Sequence, residues 1–405
     1  MAQRYDTYKD SGVQWLGEIP GHWGCVPLKY FVDTKSGSAI NVKDLDENGL
    51  YPVYGGGAQI GFCNKYNCNE SEIIVGRVGA KCGCVNFPKK KVWATDNALI
   101  VTSKLNHKFT AIVLEAADLN RLNVANAQPL ITGTKIKQVR IALPPLSEQH
   151  SIVSYLDDKC GKIDKMLEGK QKQIELLAEM KQRIIADAVT RGLNPDVKMK
   201  ATKIPWLPEI PEHWEMESLR RFLKIFAEKG HGDKQLLSVT REQGVIERNT
   251  DSKEENHNFI PEDLSGYKYV QVGVFVINKM KSWQGSYGVS EYEGIVSPAY
   301  FTCKLQGVDK DFFSTAIRSK IYVSFFARYS KGIRVDQWDL SPIALKSIPF
   351  ALPPLSEQRA IVSYLNDKTA KIDALTSKLQ QEIESIKEYK QRLISDVVTG
   401  QIKVC

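Results

Sequence analysis

Cys63, Cys68, Cys82 and Cys84 are the residues whose clustering could most directly do chemistry, because four thiolates can complete a tetrahedral zinc site. Their spacing argues against it. Four residues separate the first pair and one separates the second, whereas structural zinc knuckles place about two to four in each. The expectation is therefore of small reduced thiols on strands, buried or half-buried. Gly55-Gly56-Gly57-Ala58-Gln59-Ile60-Gly61 has the glycine density of a phosphate or cofactor loop. It lacks the preceding buried strand and the GxGxxG spacing, so it reads as a turn.

No HExxH, GxxxxGK[ST] or HxE with PCxxC occurs, and the Ser, His and carboxylate residues are too scattered to assemble a triad. Two Leu-Pro-Pro-Leu stretches superficially resemble the Asn/Asp-Pro-Pro-aromatic motif of amino-methyltransferases. That chemistry needs an amide or carboxylate to hold the amine and an aromatic to stack the flipped base, and leucine supplies neither. His22 and His213 each precede a tryptophan in a repeated Pro-x-His-Trp, which suits seating of that segment better than catalysis. The chain is expected to carry no catalytic residues, no metal and no cofactor of its own.

Binding is better represented. Basic and polar residues gather on turns: Arg77 and Lys81, then Lys89, Lys90 and Lys91, in one block; Lys279, Lys281 and Trp283, then Lys331 and Arg334, in another. Arg and Lys can neutralise phosphates or read guanine edges, and Asn126 and Gln128 have the amide geometry that reads adenine. The net charge of +8 favours an acidic partner weakly.

The elements that must position these turns are written twice. Leu143-Pro144-Pro145-Leu146-Ser147-Glu148-Gln149 returns as Leu352-Pro353-Pro354-Leu355-Ser356-Glu357-Gln358, and Ile152 to Leu156 returns as Ile361 to Leu365, both 209 residues on. Trp15-Leu16-Gly17-Glu18-Ile19-Pro20-Gly21-His22-Trp23 is echoed 191 residues on by Trp206-Leu207-Pro208-Glu209-Ile210-Pro211-Glu212-His213-Trp214. The blocks between the echoes differ by 18 residues in length and look unrelated. A period this long fits a duplicated domain rather than a solenoid.

After each Leu-Pro-Pro-Leu a long helix is expected. Leu156, Ile163, Leu167, Ile174, Leu177 and Ile184 recur at the spacing of a coiled-coil seam, and Leu365, Ile372, Leu379, Ile383, Ile386 and Leu393 do so in the copy. Lys170, Lys181 and Lys390 fall on the seams and should carry their charge outward on long stems. Ser147 and Ser356 can cap the starts, and Gly192 and Gly400 mark the ends. About 40 residues gives roughly 60 Å of helix, for which the copy is the natural antiparallel partner.

Residues 24–142 and 215–351 read as mixed α/β modules, with strands at 73–78, 98–101, 269–277 and 299–303 and helices at 109–120 and 312–322. At 405 residues, 42% apolar and 25% charged, the chain can build two or three compact domains. No apolar run reaches the ~20 residues of a bilayer span, and the first residues lack the pattern of a signal peptide, so a cytoplasmic location is expected.

The doubled Leu-Pro-Pro-Leu-x-Glu-Gln with its seamed helix, and the doubled Trp-Leu-x-x-Ile-Pro-x-His-Trp, resemble the specificity subunit of type I restriction-modification systems. Gly76-Arg77-x-Gly79 with Cys82-Gly83-x-Val85 and Trp93-x-Thr95 is similar to the first recognition domain of many such subunits. The resemblance implies a mixed α/β fold with a pseudo-twofold repeat: a first target-recognition domain over 1–145, a first long helix over 146–192, a linker and second target-recognition domain over 193–354, and a second long helix over 355–405. It further implies that each domain reads one half of a split DNA site in the major groove, with an antiparallel coiled coil holding the readers apart. Two methylation subunits using S-adenosylmethionine and two restriction subunits using ATP and Mg would be the partners and would carry the catalysis. The competing reading is a coiled-coil interaction scaffold whose two modules bind something other than DNA.

Overall fold

The computed structural model describes residues 3–79, 81–122, 130–249, 260–332 and 338–404. Two helices dominate it, Leu146–Arg191 and Leu355–Val398. At 46 and 44 residues they are roughly 69 and 66 Å long. Each starts directly after a Pro-Pro pair, with Gln149 N donating to Pro145 O at 3.0 Å and Gln358 N to Pro354 O at 3.0 Å. Ser147 and Ser356 therefore lie inside the first turn rather than at the cap, and the position before each helix is a proline, whose missing N–H leaves no donor there to satisfy. Each helix is followed by a glycine in the left-handed region, Gly192 at φ +75° and Gly400 at φ +77°, where a side chain would be strained.

The chain divides into two compact units that do not follow it in linear order: residues 1–171 with 380–405 form one, and residues 172–379 the other. Each unit thus owns part of both long helices. In the first, Lys390 Nζ lies 2.6 Å from Asp164 Oδ1 and Lys170 Nζ 2.5 Å from Glu382 Oε2, an antiparallel register. In the second, Lys181 Nζ lies 2.7 Å from Asp373 Oδ1. The seam lysines do not carry their charge outward as expected; each ends on a carboxylate of the facing helix, because the opposing acidic residue lies within reach of the stem. The apolar seam positions are buried at Leu156, Leu365, Ile372, Leu379, Ile383 and Leu393 and half-buried at Ile163, Leu167, Ile174, Leu177, Ile184 and Ile386.

The globular part of each unit has the same strand order. A four-stranded antiparallel sheet runs Val32–Ser36, Ala98–Ser103, Ile73–Gly76, Val85–Asn86 in the first unit and Leu223–Phe226, Phe301–Leu305, Phe275–Ile277, Tyr287–Val289 in the second. A strand pair closes each block, Gly24–Pro27 with Arg140–Leu143 and Glu215–Ser218 with Pro349–Leu352. The blocks look unrelated as sequence because few side chains coincide, yet the topology is one. They differ in what is added: a sheet of Gln59–Cys63, Tyr51–Tyr54 and Trp93–Ala94 in the first, and the pairs Leu237–Thr240 with Gly244–Glu247 and Lys268–Val270 with Gly294–Val296 in the second.

Two expected elements are each divided. The strand over 269–277 is two, Lys268–Val270 and Phe275–Ile277, in different sheets, with Gly273 turning between them at φ +86°. The helix over 312–322 is also two, Lys310–Ile317 and Lys320–Tyr329, because Ser319 takes extended backbone and opens a new helix. The helix over 109–120 is observed as His107–Ala116, followed by a 3-10 turn over Leu119–Leu122.

Each core packs its sheet against its own share of the long helices. Trp23, Phe109, Ile152, Leu156 and Val397 belong to one apolar cluster, and Trp214, Phe312, Phe350, Ala188 and Leu365 to the other. Among the described residues no helix is long and apolar enough to cross a membrane.

Candidate nucleic-acid interface

The two sequence echoes meet. In the first unit Glu148, in the opening turn of the long helix, accepts from Trp23 Nε1 at 3.0 Å and Tyr5 Oη at 2.9 Å, and His22 Nε2 lies 2.7 Å from its other oxygen. In the second, Glu357 accepts from Trp214 Nε1 at 3.0 Å, with His213 Nε2 at 2.8 Å. The neighbouring glutamines complete the joint. Gln149 Nε2 donates to Pro144 O at 3.0 Å while its Oε1 accepts from Asn106 N, the cap of the helix His107–Ala116. Gln358 does the same with Pro353 O at 2.8 Å and with Asp309 N, the cap of Lys310–Ile317. His22 and His213 thus seat the module on the helix. Burial raises the Glu148 carboxyl, but the bonds from His22, Trp23 and Tyr5 outweigh it and hold its pKa below the ordinary carboxylate value.

This joint fixes each module to its long helix, and the expected binding turns lie on the strands of the module. In the first unit Arg77 directly follows the core strand Ile73–Gly76. Its N–H bonds Asn97 O, its carbonyl accepts from Ile131 N at 2.9 Å and from Cys82 Sγ, and Nη1 donates to Ser36 Oγ at 3.3 Å. Its Nε is buried without a partner among the described residues. Gly76 is required here: a Cβ would stand 2.4 Å from Gly56 O and 2.7 Å from Lys81 O. The glycine run is the tight connection of a hairpin, with Gly55 N bonding Ala58 O, and its backbone packs directly under the Arg77 loop. Lys81 is exposed.

Lys89 and Lys90 are exposed on the turn before strand Trp93–Ala94, in a different sheet from the one that ends at Arg77, so these two basic stretches are not one cluster. Lys91 is held over the Tyr66 ring at 4.3 Å and donates to its hydroxyl at 3.1 Å. Tyr66 in turn packs on Tyr51 at 5.1 Å. This tyrosine pair escapes sequence reasoning because its members lie fifteen positions apart on separate elements.

In the second unit the expected residues do converge. Lys279 follows the core strand Phe275–Ile277 by two residues, its carbonyl accepts from Leu340 N at 3.1 Å, and its Nζ lies 3.2 Å from Asp339 Oδ2. Lys331 and Asp339 exchange both backbone bonds, which joins the second basic turn to the first. Lys281 is exposed, and Trp283 packs at 5.1 Å and a tilt of 53° against Trp338, a partner not anticipated, with its own Nε1 buried and unpartnered among the described residues. Asn126, Gln128 and Arg334 lie outside the described residues.

Arg77 and Lys279 make the same backbone bond, one residue apart relative to the ends of their strands. Each follows the equivalent core strand, and each carbonyl holds the residue just before a short helix, Ile131 before Gly133–Gln138 and Leu340 before Pro342–Ser347. The cysteines make no metal centre among the described residues. Cys63, Cys68 and Cys82 are buried and Cys84 is exposed; burial, with Glu72 beside it, pushes the Cys68 thiol up to about 12.

A family model described as the type I restriction modification DNA specificity domain matches residues 20–176. The MjaVIII type I restriction enzyme specificity subunit of Methanocaldococcus jannaschii is 24% identical over 425 aligned positions, covering 99% of this chain and 91% of its own. The matching family model and this relative are both of type I restriction specificity subunits, to which the chain is similar. A second relative from the same organism, the putative MjaX specificity subunit, is 27% identical over 68% of this chain and 62% of its own. The fold is shared with a solved chain reported in a study of complex assembly and conformational transition of the type I R-M system, at TM-score 0.63 and 13% identity, covering 95% of this chain and 99% of that one. Type I specificity subunits therefore supply the frame in which the equivalent Arg77 and Lys279 positions are read.

Proposed function

We propose that this chain is the address of a cytoplasmic type I restriction-modification complex and performs none of its catalysis. Residues 1–145 and 193–354 contain its two target-recognition domains, each reading one half of an asymmetric split DNA site in the major groove. The long helices 146–192 and 355–405 act as an antiparallel coiled coil that sets the unread gap and docks two methylation subunits, to which two restriction subunits add. S-adenosylmethionine, ATP and Mg belong to those partners. Arg77, Lys81, Lys89, Lys90, Lys91, Asn126, Gln128, Lys279, Lys281, Trp283, Lys331 and Arg334 are the proposed DNA-binding residues.

The observation that carries this reading is one strand order presenting different chemistry at the same position. Arg77 beside Ser36 in one unit and Lys279 beside Asp339 and the Trp283–Trp338 pair in the other are equivalent in backbone and unlike in recognition. Two readers of that kind choose bases independently, which fits a split asymmetric site. Alanine at Lys89, Lys90, Lys91, Lys279 and Lys281 together tests it. Affinity for duplex DNA should fall, and the slope of log K against log salt should flatten by about 0.9 for each phosphate that is no longer neutralised. Unchanged affinity and slope would favour a scaffold directed at protein.

A further inference from the structure

We propose that Lys279 and Asp339 of the second unit together read one G·C base pair, the ammonium on guanine and the carboxylate on cytosine, a contact that deepens the DNA-reading function and rests on it. Lys279 Nζ lies 3.2 Å from Asp339 Oδ2, and the two side chains keep 32% and 51% of their surface exposed. The backbone beneath them is fixed from several sides. Leu340 N donates to Lys279 O at 3.1 Å, and Asp339 exchanges both backbone bonds with Lys331. Asn278, buried beside Lys279, accepts from Met280 N through Oδ1 and from Lys281 N through its carbonyl, while Ser282 Oγ donates to Lys279 O. Such support matters because a binding contact discriminates only when it is held to within about 0.5 Å.

The ion pair is not needed by the joint on which it stands. In the first unit the same joint forms, with Ile131 N donating to Arg77 O at 2.9 Å, and the residue before Ile131 is Leu130, 38% exposed, where the second unit has Asp339 before Leu340. The backbone bond therefore holds with arginine and leucine as well as with lysine and aspartate, and an exposed ion pair adds little stability of its own. What the pair supplies is a donor beside an acceptor. Among the described residues neither side chain has another hydrogen-bond partner, so two N–H groups of the ammonium and the second carboxylate oxygen remain to meet a ligand. A donor-only group next to an acceptor-only group complements the major-groove edge of G·C, where guanine N7 and O6 accept at one end and cytosine N4 donates at the other. The A·T edge fits less well. Its one donor, adenine N6, lies between the acceptors N7 and O4, so a carboxylate placed on it meets an acceptor on either side.

Sequence alone does not show the pair, since 60 positions separate its members. The test uses the full chain with a cognate methylation subunit, takes the motif from N6-methyladenine in the host genome, and then measures methylation rates on duplexes that each carry one substituted base pair. The wild-type second half-site should contain a G·C pair at which Lys279→Met and Asp339→Ala each lose roughly 5- to 100-fold of discrimination, with every other position unchanged. Lys279→Arg should keep guanine, and Asp339→Asn should admit A·T, because an amide pairs with adenine. Thermal midpoints should stay at the wild-type value, both side chains being exposed. Variants that relax two different positions, relax an A·T position, or slow methylation equally on every duplex would overturn the shared G·C contact, the last by making Lys279 a phosphate contact. Lowered midpoints with wild-type preferences would make the pair a structural tie. A wild-type complex that methylates no split motif would instead defeat the DNA-reading function on which the pair depends.

Discussion

Glu148 and Glu357 show how much one carboxylate can organise. Each gathers an indole N–H and an imidazole from a distant segment, while the Oε1 of the adjacent glutamine accepts the backbone N–H of a helix-capping residue in a third. Glu148→Gln should destabilise the protein at neutral pH by about 1.5–3 kcal/mol, the range for hydrogen bonds to a charged acceptor. The Glu148 pKa is depressed in the folded state. Its contribution is therefore full above the ordinary value of 4.5 and disappears as pH falls through the lower folded value. The stability difference between wild type and variant, measured by denaturant unfolding across pH, should shrink over that window; a pH-independent difference would contradict the assignment. At this scale the echoes are legible as sequence but their meeting is not, because 125 residues separate Trp23 from Glu148. Arg77 and Lys279 are legible as basic turns, whereas their equivalence depends on backbone bonds from Ile131 and Leu340 that no pattern announces.

The long helices are the most legible elements, since a seam sustained over many turns leaves little competing structure. The fate of the lysines on that seam is less so. Periodicity places Lys390 on the packed face, but only the register of the facing helix supplies Asp164. The pair is partly solvated, with side-chain exposures of 27% and 50%, so its coupling should be small. A double-mutant cycle with Lys390→Ala and Asp164→Ala should give about 0.5 kcal/mol. A coupling near zero would mean the lysine stem, not its charge, holds the position. The divisions near 269–277 and 312–322 escape a sequence reading for a local reason. Apolar runs hide the turn at Gly273, whose N–H bonds Ser290 O at 2.7 Å, and the restart at Ser319, beside which Arg318 Nη1 donates to Tyr287 O at 2.6 Å.

At the scale of the molecule, duplication with divergence explains the design. One topology is retained because the joint to the helices is retained, and the surfaces proposed to read DNA differ because they lie beyond that joint. If the helices set the gap, then lengthening both by four residues, after Ile174 and after Leu379, preserves the ion pairs Lys170–Glu382 and Lys181–Asp373. It adds about 6 Å of helix, worth roughly two base pairs at 3.4 Å each. The unread gap should lengthen while both half-sequences stay the same, and an unchanged gap would rule the helices out as a ruler.

The most direct measurement is to express this chain with a cognate methylation subunit in a host lacking adenine methylation and to map N6-methyladenine across that genome. A split motif of two unlike half-sites at a fixed gap is expected, with Arg77→Ala degrading one half and Lys279→Ala the other. A single continuous motif, or no methylation from a stable complex, would contradict it.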